Sequence, residues 1–219
     1  MASVSESAAR VARPALFQAK HLMWMVYGLL VLLVFAFREA TLLDASSPLH
    51  HRDARAAWLM VVHGVPGAVA LFVAPFQFSN RLRQRYLQLH RLLGRVYVVC
   101  VFVSAPLGIA VAHVMTVPTV FSASLIQSFG WVATTATALY CVRTGRIQQH
   151  REWMMRSYPF AMVFIVNRAL FFVPAIARGG ELARAETVWS GIAVACFLPS
   201  FVIAWQALVA GKSKSIARS

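Results

Sequence analysis

Acidic side chains are scarce in this chain: seven Asp and Glu stand against 21 Lys and Arg in 219 residues. None of the seven falls within a long apolar run, which disfavours a proton-driven pump or carrier, because such proteins relay protons through intramembrane carboxylates. Cysteine is equally sparse. Cys100, Cys141 and Cys196 each stand alone within or at the end of an apolar run, a pattern of small packing residues rather than of a disulfide or metal motif. No phosphate-cradling loop is present, and no serine, cysteine or carboxylate joins a histidine in a recognisable hydrolytic constellation. No catalytic residue is assigned, and a stand-alone enzyme is the weaker reading.

What the chain has in quantity is apolar residue: 59% is hydrophobic and only 13% charged, in runs near the length needed to cross a bilayer core. The expected fold is all-α, an integral membrane bundle of about six transmembrane helices built around two similar helical hairpins. The expected spans are His21 to Phe37, Ala57 to Phe78, Leu92 to Val114, Ser122 to Val142, Pro159 to Ile176 and Val188 to Val209. Residues 1–20 and 211–219 read as flexible basic tails around one transmembrane domain, 21–210. Prolines 66, 106, 174 and 199 fall inside the expected spans and predict kinks.

The formal charge of +14 does not point to nucleic acid, because the basic residues alternate between connections as orientation signals do. Arg81, Arg83, Arg85 and Arg91 share one face with Arg143, Arg146, Arg151, Arg156 and both basic tails, while Arg38, Arg52, Arg55, Arg178 and Arg184 fall on the other. Both termini are therefore expected in the cytoplasm, with the protein in a bacterial cytoplasmic (inner) membrane. The lipid bilayer is its first partner. A quinone or redox partner, a homo-oligomer and a larger membrane complex are further expectations. His50-His51, in the longest outer connection, read as solvated rather than metal-bound.

Two segments resemble one another. Leu87-Gln88-Leu89-His90-Arg91 continues to Arg95 and Tyr97, and Ile147-Gln148-Gln149-His150-Arg151 continues to Arg156 and Tyr158. Similar context places His90 and His150 at similar depth, at the cytoplasmic starts of two helices. Two histidines on facing helices are what axial ligation of a b-type haem iron requires, with Arg91, Arg95, Arg151, Arg156, Tyr97 and Tyr158 as neighbours for the propionates and the ring. The plainer alternative is interfacial anchoring, since arginine and tyrosine concentrate at the cytoplasmic boundary. A second haem pair, His63 with His113, fits poorly, because His113 follows His90 by 23 residues, roughly 34 Å along a helix.

Deeper in the bundle, His63 lies roughly 9 Å below the outer end of its span and Arg168 roughly 15 Å above Tyr158. An arginine at that depth requires a partner, and no carboxylate is available within the spans. Backbone carbonyls freed by proline, the side chains of Asn167, Gln127, Ser104 or His63, or a bound anion are the alternatives. His63, Asn167, Arg168 and Gln127 thus form an expected buried polar site.

His63-Gly64, Ala74-Pro75-Phe76-Gln77-Phe78, Arg81-Leu82-Arg83, His90 through Tyr97, His150 through Tyr158 and Asn167-Arg168 together resemble a bacterial family of membrane proteins, domain of unknown function 2306. The resemblance covers about Trp58 to Phe172. It implies a multi-pass helical membrane domain and no particular reaction. Thr116-Val117-Pro118-Thr119 stands where the family pattern has a glycine-rich outer connection. The leading functional expectation is a b-type haem or quinone-linked electron-transfer component. Its rivals are a non-redox binding or transport protein for a small anion or lipid headgroup, and a structural subunit of a membrane complex.

Overall fold

The computed structural model describes residues 25, 27–39, 46, 57–115, 118–170 and 172–216. The N-terminal tail, the start of the first expected span at His21 and the His50-His51 connection lie outside the described residues. The helices are α1 (Tyr27–Phe37), whose end overlaps a π turn at Phe35–Glu39, α2 (Ala57–Gln77), α3 (Asn80–Arg85) and α4 (Leu87–Met115). They continue as α5 (Pro118–Arg143), α6 (Ile147–Leu170), α7 (Pro174–Arg178) and α8 (Gly180–Ile216). No strand occurs among the described residues.

Four of these helices are long and apolar enough to cross a membrane: Trp58–Gln77, Leu87–Val114, Val120–Arg143 and Leu182–Val209. The fifth expected span is shifted. Its helix begins at Ile147 and ends at Leu170, so its first half carries Gln148, Gln149, His150, Arg151, Glu152 and Arg156, and its average polarity is too high for a simple span. Pro174 lies outside that helix and occupies the first turn of α7, where its missing N–H costs nothing. Pro66, Pro106 and Pro199 do lie inside helices, which continue through them. At the other end, α8 runs to Ile216, into the stretch expected to be a flexible tail.

Local chemistry sets the corners. Ser79 caps α3 by accepting from the Leu82 N–H, so a short helix separates α2 from α4 where the sequence suggested a simple loop. After α5, Gly145 takes φ +75° while the Arg146 N–H reaches the Cys141 carbonyl at 2.8 Å, a left-handed helix end that favours glycine. The chain reverses there into α6.

The most extensive packing joins α2 to α4 and α5 to α6, and α6 also lies against α8. Small residues let the backbones approach. A Cβ on Gly130 would stand 2.7 Å from the Phe160 ring, so only glycine admits that ring at the α5–α6 contact. Tyr97, Ile165, Val31, Val34 and Val101 are fully buried, whereas Phe129, Leu182 and Phe197 point outward, as expected where the surrounding solvent is lipid.

Candidate functional site

A cavity of about 200 Å³ opens inside the bundle, and His63, Gln127, Asn167 and Arg168 all line it. The four come from α2, α5 and α6. Ser104 and Gly108 of α4 and Phe160 and Phe164 of α6 complete much of its wall.

His63 is held on three sides. Its Nδ1 lies 2.8 Å from the Ser104 carbonyl, the Ser104 hydroxyl donates back to the His63 carbonyl at 3.0 Å, and its ring meets Phe164 edge-on at 5.7 Å. A carbonyl only accepts, so Nδ1 carries a proton, and in the neutral ring Nε2 is then the acceptor atom. Gly108 makes room for the ring: a Cβ there would stand 2.9 Å from His63 Cε1. Arg168 lies over the ring of the same phenylalanine, its Cζ 3.6 Å from the Phe164 ring centroid. A guanidinium over an aromatic face is favoured by the ring quadrupole.

Arg168 falls in the last turn of α6, roughly 30 Å from the helix start, because that helix begins at Ile147 and breaks after Leu170. A cation in a last turn is favoured by the negative end of the helix dipole. Beside it, Asn167 is 9% exposed; its Nδ2 donates to the Val163 carbonyl at 2.9 Å, while Oδ1 has no hydrogen-bond partner. An unsatisfied buried carbonyl costs about 1–3 kcal/mol, a cost that a donor brought into the cavity would remove. Gln127 donates from Nε2 to the Phe160 carbonyl at 3.1 Å.

The duplicated segments lie at the arginine-rich end. His90 is within electrostatic reach of Arg83, His150 and Arg91. The surroundings of the two histidines differ. His150 Nδ1 lies 2.9 Å from the Ala138 carbonyl, whereas His90 Nδ1 is buried without a partner. Arg91, Arg95 and Arg151 are exposed, and Arg156 stacks over Trp153 at 5.1 Å.

The tyrosines are structural fasteners rather than interfacial anchors. Tyr97 is fully buried; its hydroxyl accepts from Trp131 Nε1 at 3.1 Å and lies 2.8 Å from Ser157 Oγ. Ser157 in turn lies 2.7 Å from Thr135 Oγ1, which donates to the Trp131 carbonyl. Tyr158 bonds Tyr27, and Tyr27 donates to the Leu71 carbonyl at 3.1 Å, which ties α6 to α1 and α2.

This arrangement does not fit a haem between His90 and His150. Two turns further into the bundle, the gap between α4 and α6 is closed by the Tyr97–Ser157 bond and filled by Trp131 and Thr135. His90 also lacks the Nδ1 partner that normally orients an iron-ligating imidazole. His113 is exposed at the far end of α4, edge-on to Phe121. Among the described residues, no group of three or more His, Cys, Asp or Glu is arranged to hold a metal ion.

Sequence reasoning missed Phe164, Gly108, Ser157 and Gln77. Only Ser157 had a usable signal, since it follows His150 by the seven residues that separate Tyr97 from His90. Phe164 and Gly108 look like ordinary membrane residues until the packing is known. No curated protein and no solved structure matches the chain. A family model described as predicted membrane protein, DUF2306, matches residues 60–208, which takes in the cavity, both histidine segments and most of α8. The chain belongs to this family of membrane proteins, domain of unknown function 2306.

Proposed function

We propose that the protein is a membrane-embedded binding or transport protein for a small molecule that carries an oxyanion or carbonyl together with a hydrogen-bond donor. The observation that carries this reading is the convergence of His63, Gln127, Asn167 and Arg168 on one cavity, with the Asn167 carbonyl lacking a protein donor. A guanidinium suits the ligand's acceptor oxygen, and Asn167 Oδ1 and His63 Nε2 suit its donor. At about 200 Å³ the cavity lies below the usual range for drug-sized ligands, which favours a compact molecule.

In this reading the chain crosses the bilayer six times, with α1 and α6 joining the four apolar spans. The 24 residues of α6 extend roughly 36 Å, enough to cross, and the helix packs against α2, α5 and α8. The arginine-rich end, with both termini, faces the cytoplasm of a bacterial inner membrane by the positive-inside rule. The α2–α4 and α5–α6 hairpins form the two halves of an internally repeated bundle.

Thermal unfolding of the purified protein with added 3-hydroxybenzoate or 3-hydroxybenzyl alcohol tests the site. 3-Hydroxybenzoate, which carries both oxyanion and donor, should raise the transition temperature of the wild type in a saturable way, and 3-hydroxybenzyl alcohol, which lacks the oxyanion, should not. Arg168→Ala and His63→Phe should lose the 3-hydroxybenzoate effect. Equal stabilisation of all three forms would rule the site out.

A further inference from the structure

A second polar site lies at the arginine-rich end, apart from the cavity. Gln77, the last residue of α2, is 9% exposed, yet its Nε2 has no hydrogen-bond partner. Its carboxamide lies against α4, with Oε1 3.3 Å from the place a Cβ on Gly94 would take. One turn earlier on α4 is His90, whose buried Nδ1 is also without a partner. Residues four apart share a helix face, so the two unsatisfied groups are neighbours.

The second histidine shows that this is not a general property of the segment. His150, at the corresponding place, has its Nδ1 at 2.9 Å from the Ala138 carbonyl of α5. The corresponding stretch beside His90 is the end of α2, where the helix stops at Gln77 and α3 begins. His90 therefore has no helix carbonyl to meet.

What would satisfy both groups is an acceptor, because Gln77 Nε2 only donates and His90 Nδ1 donates when it holds the proton. The surroundings favour an anionic one. Arg83 on α3 acts on His90, Arg91 follows it in sequence, and the described acid on this end of α6, Glu152, already accepts from Gln148 Nε2 at 3.1 Å. Beside the site Tyr86, Leu89 and Leu92 are exposed, an apolar surface suited to acyl chains at the depth where headgroup phosphates lie.

We propose that Gln77, His90 and Arg83 bind a phosphate-type oxyanion at the α2–α3–α4 corner, from a phospholipid headgroup or from free phosphate. Both donor atoms are closed to solvent, so entry requires the Gln77 carboxamide to swing or the six-residue α3 to lift. The site is independent of the cavity and stands or falls separately from the proposed function.

The test is native mass spectrometry and thermal unfolding of the full-length protein in detergent. The probes are phosphatidylglycerol, dioleoylglycerol, which has the chains without the phosphate, and inorganic phosphate. The wild type should retain one phosphatidylglycerol and bind dioleoylglycerol at least about tenfold more weakly, as charge-assisted hydrogen bonds imply. Gln77→Glu, isosteric but with the donor replaced by a negative charge, should lose about tenfold in phosphatidylglycerol affinity. Arg83→Gln, on the short surface helix, should weaken it in the same direction and keeps the test valid if Gln77→Glu does not fold. Stabilisation by inorganic phosphate alone, abolished in Gln77→Glu, would also support the site and identify the soluble ion as its source. Equal binding of phosphatidylglycerol by wild type and Arg83→Gln, or equal binding of dioleoylglycerol and phosphatidylglycerol by the wild type, without stabilisation by inorganic phosphate, would overturn it.

Discussion

Tyr97 and Ser157 meet at 2.8 Å across the buried centre of the bundle, and the 60 residues between them equal the separation of His90 from His150. The same offset recurs one level further in, where His63 is bonded to Ser104 and touches Phe164. Helices α4 and α6 therefore run parallel and in register, and the cavity is built where α2 lays His63 across both of them.

Loss of the Tyr97 hydroxyl should be costly. Tyr97→Phe leaves the buried Trp131 N–H without its acceptor and Ser157 with Thr135 as its remaining partner, for about 2 kcal/mol. Ser157→Ala leaves Tyr97 and Trp131 paired and should cost about half as much. Unfolding titrations in mixed micelles measure both, and a Tyr97→Phe protein as stable as wild type would show that the network contributes nothing net.

Glycine substitutions should divide by contact. Alanine at Gly130 places its methyl 2.7 Å from the Phe160 ring, itself 5% exposed, and should cost about 1–3 kcal/mol. Alanine at Gly64 meets nothing within 4 Å and should be neutral or slightly stabilising. Comparable melting temperatures for the two variants would contradict the close α5–α6 packing.

Gly108→Ala links packing to binding. The new methyl would lie 2.9 Å from His63 Cε1, so the ring must turn away from Ser104 and from the cavity. Stabilisation by 3-hydroxybenzoate should weaken by about tenfold, roughly the loss of one hydrogen bond. An unchanged 3-hydroxybenzoate response, with the protein folded, would remove His63 from the site.

Orientation can be read with single cysteines in a background lacking Cys100, Cys141 and Cys196. Thr144→Cys, at the exposed corner between α5 and α6, should resist a membrane-impermeant maleimide in intact spheroplasts and react after lysis. His113→Cys, exposed at the other end of α4, should react in both. The opposite pattern would invert the assigned topology.

Optical spectra of protein expressed with ample haem supply should show no Soret band that depends on the two histidines. The Tyr97–Ser157 bond closes the space between their helices. A band present in wild type and lost in both His90→Ala and His150→Ala would refute that reasoning.

Much of the fold was legible because its signals are local. Apolar runs longer than a bilayer core, with arginines collected in alternate connections, need no knowledge of packing to be read, and four spans emerged near their expected positions. The start of α6 was not legible, because its polar first half, with Gln148, Gln149 and Arg151 exposed, has no apolar run to mark it. That one shift put Arg168 in a last turn and Pro174 outside its helix.

The sequence by itself determined an all-helical membrane protein, the family and the polar residues that stand out against an apolar background: His63, Gln127, Asn167 and Arg168. Only the tertiary structure decided that these four share one cavity, that Tyr97 and Ser157 close the gap beyond the two histidines, and that Gln77 and His90 lack partners. The physical reason is that hydropathy and charge act along the chain, whereas hydrogen bonds and ring contacts depend on which helix faces meet. Those faces are selected by small residues such as Gly108 and Gly130, whose meaning lies in the side chains that their missing Cβ atoms admit.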